Sequence, residues 1–268
     1  MLSFPNCKIN LGLHIIRKRE DGFHDLETIF LPIPLTDVLE IITSDKNEFS
    51  ITGLQVSHHD NLCSKAYDLL QKDFQQIPPI KMHLHKVIPM GAGLGGGSAD
   101  ASFTLQLLNK KYELNLSDEN LKTYALHLGS DCPFFLINKP CFATGRGEIL
   151  EPINIDLTGY KIVIVNPGIH IDTKWAFSKI TPAKKNISLK EIITQPIETW
   201  KDQLKNDFEL PVFSEYPEIE KIKNILFDNG AVYAAMSGSG SSVFGIFHTK
   251  QDIKTEFNKN YFQTIIQL

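Results

Sequence analysis

The sequence has little of what a nucleic-acid-binding protein or a disulfide scaffold needs. Its 268 residues include 27 Lys and Arg against 31 Asp and Glu, which gives a formal net charge of −4, and they contain no basic run. A positive patch for nucleic acid is therefore not expected. The four cysteines, Cys7, Cys63, Cys132 and Cys141, include no CxxC pair. This spacing argues against a zinc ribbon or a disulfide framework and fits a reducing compartment.

Long apolar runs are missing as well. No stretch approaches the roughly 20 apolar residues that cross a bilayer. Asn6, Lys8 and Asn10 interrupt the N-terminal segment where a signal peptide would need an apolar core. We therefore expect a cytoplasmic protein with no membrane partner and no nucleic-acid partner. The length allows one large domain or two of ordinary size.

The chain mixes helix patterns with strand patterns. Apolar residues recur at spacings of three and four in NLCSKAYDLLQKDF, and SEYPEIEKIKNILFDNG predicts one long helix that ends at Asn229-Gly230. IKMHLHKVI and YKIVIVNPG are typical of strands, whereas LETIFLPIPLTDVLEIIT predicts strands interrupted at Pro32 and Pro34. Because no regular βαβ rhythm appears, we predict an α+β fold, with a boundary between residues 145 and 160.

The segment IPMGAGLGGGSADAS, residues 88–102, has five glycines in seven consecutive positions. A P-loop would need G-x-x-x-x-G-K-[ST], and no lysine follows these glycines. Gly91, Gly93 and Gly96 do match G-x-G-x-x-G, but the preceding strand is amphipathic and no parallel-sheet rhythm follows. A glycine loop that enters a helix N-terminus directs bare N–H groups and the positive end of the helix dipole at one point. We therefore predict a phosphate site, with Ser98 as helix cap or hydroxyl contact; a tight packing loop is the alternative.

Two further residues have the chemistry of phosphoryl transfer to an alcohol. That reaction needs positioned phosphates, neutralised charge and often a carboxylate to accept the hydroxyl proton. Asp131 in HLGSDCPFFL lies among small and apolar residues, where it should be partly desolvated, although a helix cap or turn explains it equally well. Lys8 lies in an apolar strand, so its ammonium either extends to solvent at an edge or is held beside a carboxylate.

Two other features have simple structural explanations. His83 and His85 would share one face of a strand and could begin a metal site if the HHD segment at residues 58–60 approached. A surface strand face is the simpler interpretation. The SGSGSS segment, residues 237–242, could be a hairpin turn or a second loop at a binding site.

Four segments together carry a family resemblance. PNCKINLGLHI, PMGAGLGGGSADAS, GSDCPFF and AAMSGSGSSVFG resemble, in order and in spacing, the motifs of the GHMP small-molecule kinases. Within that family, the DGFH loop and NLCSKA resemble the members that phosphorylate 4-diphosphocytidyl-2-C-methyl-D-erythritol in the non-mevalonate isoprenoid pathway. The resemblance implies an N-terminal ATP-binding α/β domain (ribosomal protein S5 domain 2-like), residues 1–150. It also implies a C-terminal ferredoxin-like α+β domain, residues 151–268.

The resemblance also implies roles for individual residues. Asp131 would be the general base on the 2-hydroxyl of the erythritol, with Lys8 beside it to keep the carboxylate ionised. The residues implied to bind ATP are Pro89, Met90, Gly91, Ala92, Gly93, Leu94, Gly95, Gly96, Gly97, Ser98, Ala99 and, near the adenosine, Asn61. The residues implied to bind the substrate are Asn10, Phe23 and His24 at the cytidine end, and Thr173 in the second half. Mg²⁺ would come with ATP, held by phosphates and water, with Ser98 the suggested protein group and no dedicated metal site.

Some positions depart from the family pattern. Phe23 stands where a tyrosine is usual, which keeps an aromatic face and loses a hydroxyl; Cys7, Ser130 and Cys132 also differ. Two alternatives remain open: a sister GHMP kinase acting on homoserine, mevalonate or a sugar, and a non-catalytic ligand sensor on the same scaffold. Phe23 and His24 favour a cytosine pocket, and the presence of both Lys8 and Asp131 argues against a sensor. We expect a monomer or a weak homodimer.

Overall fold

The computed structural model describes residues 1–54, 61–253 and 257–268. The chain divides into two compact units. Unit 1 comprises Met1–Cys7, Pro34–Met90 and Gly95–Lys139, and unit 2 comprises Lys8–Ile33, Gly91–Leu94 and Pro140–Leu268. Each unit is therefore assembled from separate stretches of chain, and the glycine-rich segment contributes to both. The predicted division at residue 150 stays a prediction.

The strands are β1 (Leu2–Ser3), β2 (Asn6–Lys18), β3 (His24–Thr36), β4 (Val38–Thr43), β5 (Glu48–Gly53), β6 (Ile80–Lys86), β7 (Cys141–Thr144), β8 (Ile149–Pro152), β9 (Tyr160–Asn166), β10 (Tyr233–Met236), β11 (Val243–His248) and β12 (Phe262–Gln267). The helices are α1 (Leu62–Asp73), α2 (Gly96–Lys111), α3 (Asp118–Leu128), α4 (Cys132–Ile137), α5 (Thr173–Ser178), α6 (Leu189–Ile192), α7 (Trp200–Gln203), α8 (Glu209–Glu215) and α9 (Pro217–Asp228). In the described ranges, no helix is long and apolar enough to cross a membrane.

Unit 1 is a sheet covered by helices. Its strand order is β1-β4-β6-β5, antiparallel except for the parallel pair β5 and β6, which α1 connects. Along β6, Met82 and Leu84 are buried while His85 is exposed, so the predicted alternation is confirmed. Buried residues of α1 and α2, Leu70 and Leu105 among them, join the same core. This packing fixes the start of α2, where the glycine-rich segment ends.

Unit 2 contains an antiparallel sheet of order β10-β11-β9-β12 and most of a second sheet of order β2-β3-β7-β8. The predicted strand YKIVIVN is β9, and its central residues Ile162 and Ile164 are fully buried. The SGSGSS segment joins β10 to β11, as the sequence predicted. The hairpin that ends β2 and begins β3 turns at Gly22, whose φ is +85°.

The predicted interruption at Pro32 and Pro34 is wrong. β3 continues from His24 to Thr36 through both prolines. Its pairing with β7 covers only Thr28–Phe30, so both prolines lie beyond that ladder. On the β7 side of β3, neither proline therefore has to supply an N–H to the ladder, and a sheet tolerates proline where no N–H is needed.

The predicted long helix is two helices. α8 ends at Glu215 and α9 begins at Pro217. A proline cannot donate the i→i−4 hydrogen bond and restricts the residue before it, here Tyr216 with φ −126° and ψ 74°. At the first position of a helix its fixed φ is favourable, so Pro217 starts the second helix. The end at Asn229, the C-cap of α9, is confirmed.

Candidate active site

Gly91 and Gly93 belong to unit 2, and both have a left-handed backbone, with φ +60° and φ +79°. A Cβ atom at Gly93 would lie 1.9 Å from the carbonyl oxygen of Ser237. The hydroxyl of Ser237 donates to the carbonyl oxygen of Gly93 at 2.8 Å. The two glycine-rich loops of unit 2 therefore touch through their backbones, which only glycine at residue 93 allows.

The second half of the segment forms the N-terminus of α2 in unit 1. Gly95 is the N-cap, with φ +71°, and no side chain caps the helix. Ser98 therefore is not the cap. The first N–H groups of a helix lack partners within it, and together with the helix dipole they favour an anion. This geometry supports the predicted phosphate site.

Ser98 lies close to the segment that contains Asp131. Its hydroxyl bonds to the thiol of Cys132, and burial raises the pKa of that thiol to about 11. Ser102, one turn further along α2, has its Oγ 2.8 Å from the carbonyl oxygen of Cys132. These contacts hold the start of α4 against the first turns of α2, within unit 1.

Asp131 occupies the N-cap position of α4 and is half-buried. Its side chain makes no capping hydrogen bond to that helix. A capping hydrogen bond therefore does not explain the residue, but it lies in the turn before α4, as the alternative interpretation predicted. The half-burial of the residue agrees with a position among small and apolar neighbours.

A buried charged cluster that the sequence analysis missed lies beside the start of α2. The ammonium of Lys86 contacts carboxylates of Asp37 and of Asp100, the latter at 2.7 Å, and all three side chains are essentially inaccessible to solvent. Burial alone would lower the pKa of Lys86, but the two carboxylates outweigh it and raise the pKa. Asp37 Oδ1 also accepts the N–H groups of Val87 and Ile88, at 2.6 and 2.9 Å. The cluster joins the end of β6 to the first turns of α2.

Lys8 lies in β2 with only 3% of its surface exposed. Its Nζ donates to Asn10 Oδ1 at 2.6 Å and to the carbonyl oxygen of Gly93 at 3.0 Å. The ammonium also lies over the ring of Phe30, 5.2 Å from its centroid. An ammonium extended to solvent at a strand edge is therefore excluded, because Lys8 is directed into the part of unit 2 that holds the glycine loop.

Asn10 is 2% exposed, and both ends of its side-chain amide are engaged. Its oxygen accepts from Lys8, and its nitrogen donates to Thr28 Oγ1 at 2.8 Å. The cytidine contact that the resemblance implies for Asn10 stays a prediction. The sequence analysis missed Thr28, since β2 and β3 bring it to Asn10 only once they are folded.

Phe23 and His24 follow the turn between β2 and β3. Phe23 is 53% exposed, and the guanidinium of Arg146 lies 4.9 Å from its ring centroid. His24 stacks on Phe177 of α5, with ring centroids 4.9 Å apart and an interplanar angle of 17°. Burial, and then the charge of Lys18, lower the pKa of His24, so its ring is neutral at neutral pH. Unit 2 thus has three aromatic rings near this hairpin, Phe23, His24 and Phe177. Phe23 and His24 were predicted from the sequence, and Phe177 was not.

Thr173 begins α5, and its Oγ1 lies 3.2 Å from Ser239 Oγ of the SGSGSS loop. Asn206 donates to the carbonyl oxygens of Met236 and Gly238 at 2.7 and 2.8 Å. The predicted substrate contact Thr173 and the side chain of Asn206 therefore both lie at this loop.

The outer residues of the predicted ATP site lie in unit 1. Asn61 is the N-cap of α1 and accepts the N–H of Cys63 at 2.7 Å. Met90 is 46% exposed, and a Cβ at Gly97 would come within 3.2 Å of its terminal methyl group. Contacts of these residues with ATP stay predictions.

The histidine pair on β6 has hydrogen-bond partners on β5. His83 bonds to the hydroxyls of Ser50 and Thr52, at 3.1 and 2.9 Å, and His85 bonds to Thr52 at 2.9 Å. Residues 58–60 lie outside the described residues. Among the residues that are described, no three His, Cys, Asp or Glu side chains are grouped to hold a metal ion.

Comparisons with protein families and with named relatives agree with each other. Residues 61–139 match the GHMP kinases N terminal domain and residues 188–263 match the GHMP kinases C terminal domain. A Bacteroides fragilis protein named 4-diphosphocytidyl-2-C-methyl-D-erythritol kinase is 53% identical over 98% of this chain and 99% of its own length. A Parabacteroides distasonis protein of the same name is 49% identical over 96% of this chain and 95% of its own length.

Solved structures agree with the sequence relatives. The crystal structure of a 4-(cytidine 5'-diphospho)-2C-methyl-D-erythritol kinase aligns with a TM-score of 0.80 at 31% identity, covering 91% of this chain and 89% of that one. A homoserine kinase from Cytophaga hutchinsonii aligns at TM-score 0.67 and 15% identity, over 98% of this chain and 94% of that one, a likeness of fold alone. The predicted α+β fold of this class is confirmed. With both family domains matched and close relatives aligned over nearly its whole length, the chain belongs to the GHMP kinases.

Proposed function

We propose that this protein transfers the γ-phosphoryl group of ATP to the 2-hydroxyl of 4-diphosphocytidyl-2-C-methyl-D-erythritol. The observation that carries the choice of substrate is the aromatic group of Phe23, His24 and Phe177 at the hairpin of unit 2. A nucleobase needs flat aromatic faces, because stacking on them is favourable. Homoserine and mevalonate have no ring to use them. The relatives that carry the name of this activity support the same choice.

In the proposed chemistry, Asp131 and Lys8 act on the substrate hydroxyl, and the glycine segment binds the phosphates. Asp131 accepts the proton of the substrate hydroxyl as the new O–P bond forms and the bond from the γ-phosphorus to the bridging oxygen of ADP breaks. From the family resemblance, Lys8 would assist that base and offset developing negative charge. The left-handed glycines and the uncapped start of α2 bind the ATP phosphates through N–H groups.

Mg²⁺ fits this arrangement as an ion held chiefly by phosphates and water. Ser98, in the first turn of α2, would contribute its hydroxyl oxygen, a ligand type that Mg²⁺ accepts. When bound, the ion neutralises phosphate charge. The proposal includes a cytoplasmic enzyme, monomeric or weakly dimeric, with no nucleic-acid or membrane partner.

The test is to mix purified protein with ATP, Mg²⁺ and one alcohol at a time, and to follow ADP release. We expect turnover with 4-diphosphocytidyl-2-C-methyl-D-erythritol and little above background with homoserine, mevalonate or a sugar. Turnover on one of those alcohols alone would assign a sister kinase. Absence of turnover on every alcohol, with nucleotide still bound, would favour a ligand sensor.

A further inference from the structure

Thr28 ends a chain of buried hydrogen bonds that begins at Lys8. The side chain of Thr28 is 1% exposed, and its hydroxyl donates to the carbonyl oxygen of Gly12 at 2.6 Å. The same oxygen accepts from Asn10 Nδ2 at 2.8 Å. Asn10 Oδ1 in turn accepts from Lys8 Nζ at 2.6 Å. All of these residues belong to unit 2.

Counting protons fixes the direction of every bond in this chain. A threonine hydroxyl has one proton, and here the carbonyl oxygen of Gly12 accepts it. The hydroxyl oxygen can therefore only accept from Asn10, which must present its NH₂ group to Thr28. The other end of the amide, the oxygen, then faces the ammonium of Lys8.

The opposite orientation of the amide would be unfavourable. An ammonium has three donors and no acceptor, so an NH₂ group at 2.6 Å from Nζ would set two donors against each other in a buried site. Lys8 would lose the Asn10 oxygen, which accepts from its ammonium beside the carbonyl oxygen of Gly93. Its position at the glycine loop therefore depends on the orientation of Asn10.

We infer that Thr28 is a positioning residue for phosphoryl transfer: its hydroxyl sets the orientation of the Asn10 amide, and that amide holds the Lys8 ammonium. The inference rests on the proposed function for the role of Lys8. It assigns the Asn10 side chain to Lys8, which differs from the cytidine contact implied by family resemblance. Thr28 is buried and acts through Asn10.

The test compares two substitutions at one site. Thr28→Val keeps the shape and removes the hydroxyl, whereas Thr28→Ser keeps the hydroxyl and removes the methyl group. We expect Thr28→Val to lower kcat about tenfold to a hundredfold, the range for losing a hydrogen bond to a charged group, with KM for ATP and for the alcohol within about twofold. Thr28→Ser should recover most of kcat. If Thr28→Val does not fold, Thr28→Ala takes its place, and the same loss is expected.

Thr104→Val is the matched control. Thr104 is also a fully buried threonine whose hydroxyl donates to a backbone carbonyl oxygen, that of Asp100, at 2.7 Å. It belongs to unit 1 and has no bond to the Lys8 chain. We expect similar losses of thermal stability in Thr28→Val and Thr104→Val but a loss of kcat in the first alone. Equal kcat in all variants, or an equal loss in Thr28→Ser and Thr28→Val, would overturn the inference.

A second readout does not depend on the substrate. In protein labelled with ¹³C at lysine Cε, the Lys8 signal is identified by its disappearance in Lys8→Met. Thr28→Val should lower the pKa read from that signal, because a flipped amide removes an acceptor from the ammonium. An unchanged titration would contradict the inference even if the protein acts on another alcohol. If only the proposed substrate is wrong, the shift remains.

Discussion

At the scale of single residues, Lys8 shows what can be predicted from sequence and what cannot. An ammonium inside an apolar strand is unusual, so the sequence alone identifies Lys8 as a candidate functional residue. Two of its partners are Asn10, from β2 itself, and Gly93, from the glycine loop. Thr28 could not be identified in this way, because threonine is common in strands. Its place in the hydrogen-bond chain exists only in the folded sheet.

Gly93 is the residue where a single added methyl group should matter most. In Gly93→Ala, the new Cβ would meet the carbonyl oxygen of Ser237 at 1.9 Å, and the φ of +79° is itself unfavourable for alanine. We expect the free energy of unfolding to fall by about 2–5 kcal/mol, the sum of a left-handed backbone and an overpacked contact. Urea denaturation followed by circular dichroism measures it.

Gly22→Ala separates the two causes. Gly22 has a similar φ, +85°, but nothing lies within 4 Å of a Cβ there. Only the backbone cost of about 1–2 kcal/mol should appear. If both variants lose the same stability, contact between the two glycine-rich loops of unit 2 is not what requires glycine at residue 93.

At the scale of elements, the alternation along β6 predicts a buried charged residue as well as buried apolar ones. The alternation that buries Met82 and Leu84 also directs Lys86 to the same buried face. A charged residue at such a position predicts buried partners of opposite charge. The partners themselves, on the segment before β4 and on α2, depend on the fold. The unbroken β3 is similar, because its prolines lie beyond the residues that pair with β7, and the sequence does not show where that pairing ends.

Removing the Lys86 charge should destabilise the protein strongly. Lys86→Met keeps the length of the side chain but leaves the carboxylates of Asp37 and Asp100 buried without their cation. We expect the free energy of unfolding to fall by about 3–5 kcal/mol, as when one partner of a buried ion pair is removed. Urea denaturation at constant pH is the measurement.

Lys81→Met on the same strand is the control. The Lys81 side chain is 51% exposed and lies 3.4 Å from Glu48, so its loss should change stability by no more than about 1 kcal/mol. A loss in Lys86→Met as small as that of the control would mean that the cluster does not hold β6 and α2 together.

At the scale of the whole molecule, the fold class was predictable and the assembly of the units was not. Mixed helix and strand patterns without a βαβ rhythm indicate α+β, and four motifs in order indicate the family. The units are interleaved along the chain because the chain enters unit 2 within β2, after Cys7, and returns to unit 1 within β3, after Ile33. Long-range pairing of this kind leaves no local pattern in a sequence.

The central claim is that this molecule is a catalyst and not a binding scaffold. Asp131→Asn tests it most directly, because the amide keeps the shape of the carboxylate but cannot accept the hydroxyl proton as a base. The measurement is the rate of ADP release with 4-diphosphocytidyl-2-C-methyl-D-erythritol, beside calorimetric binding of an ATP analogue. We predict a loss of turnover of roughly two orders of magnitude or more, in the range for removing a positioned base, with nucleotide binding unchanged. Turnover close to that of the unchanged protein would contradict the account.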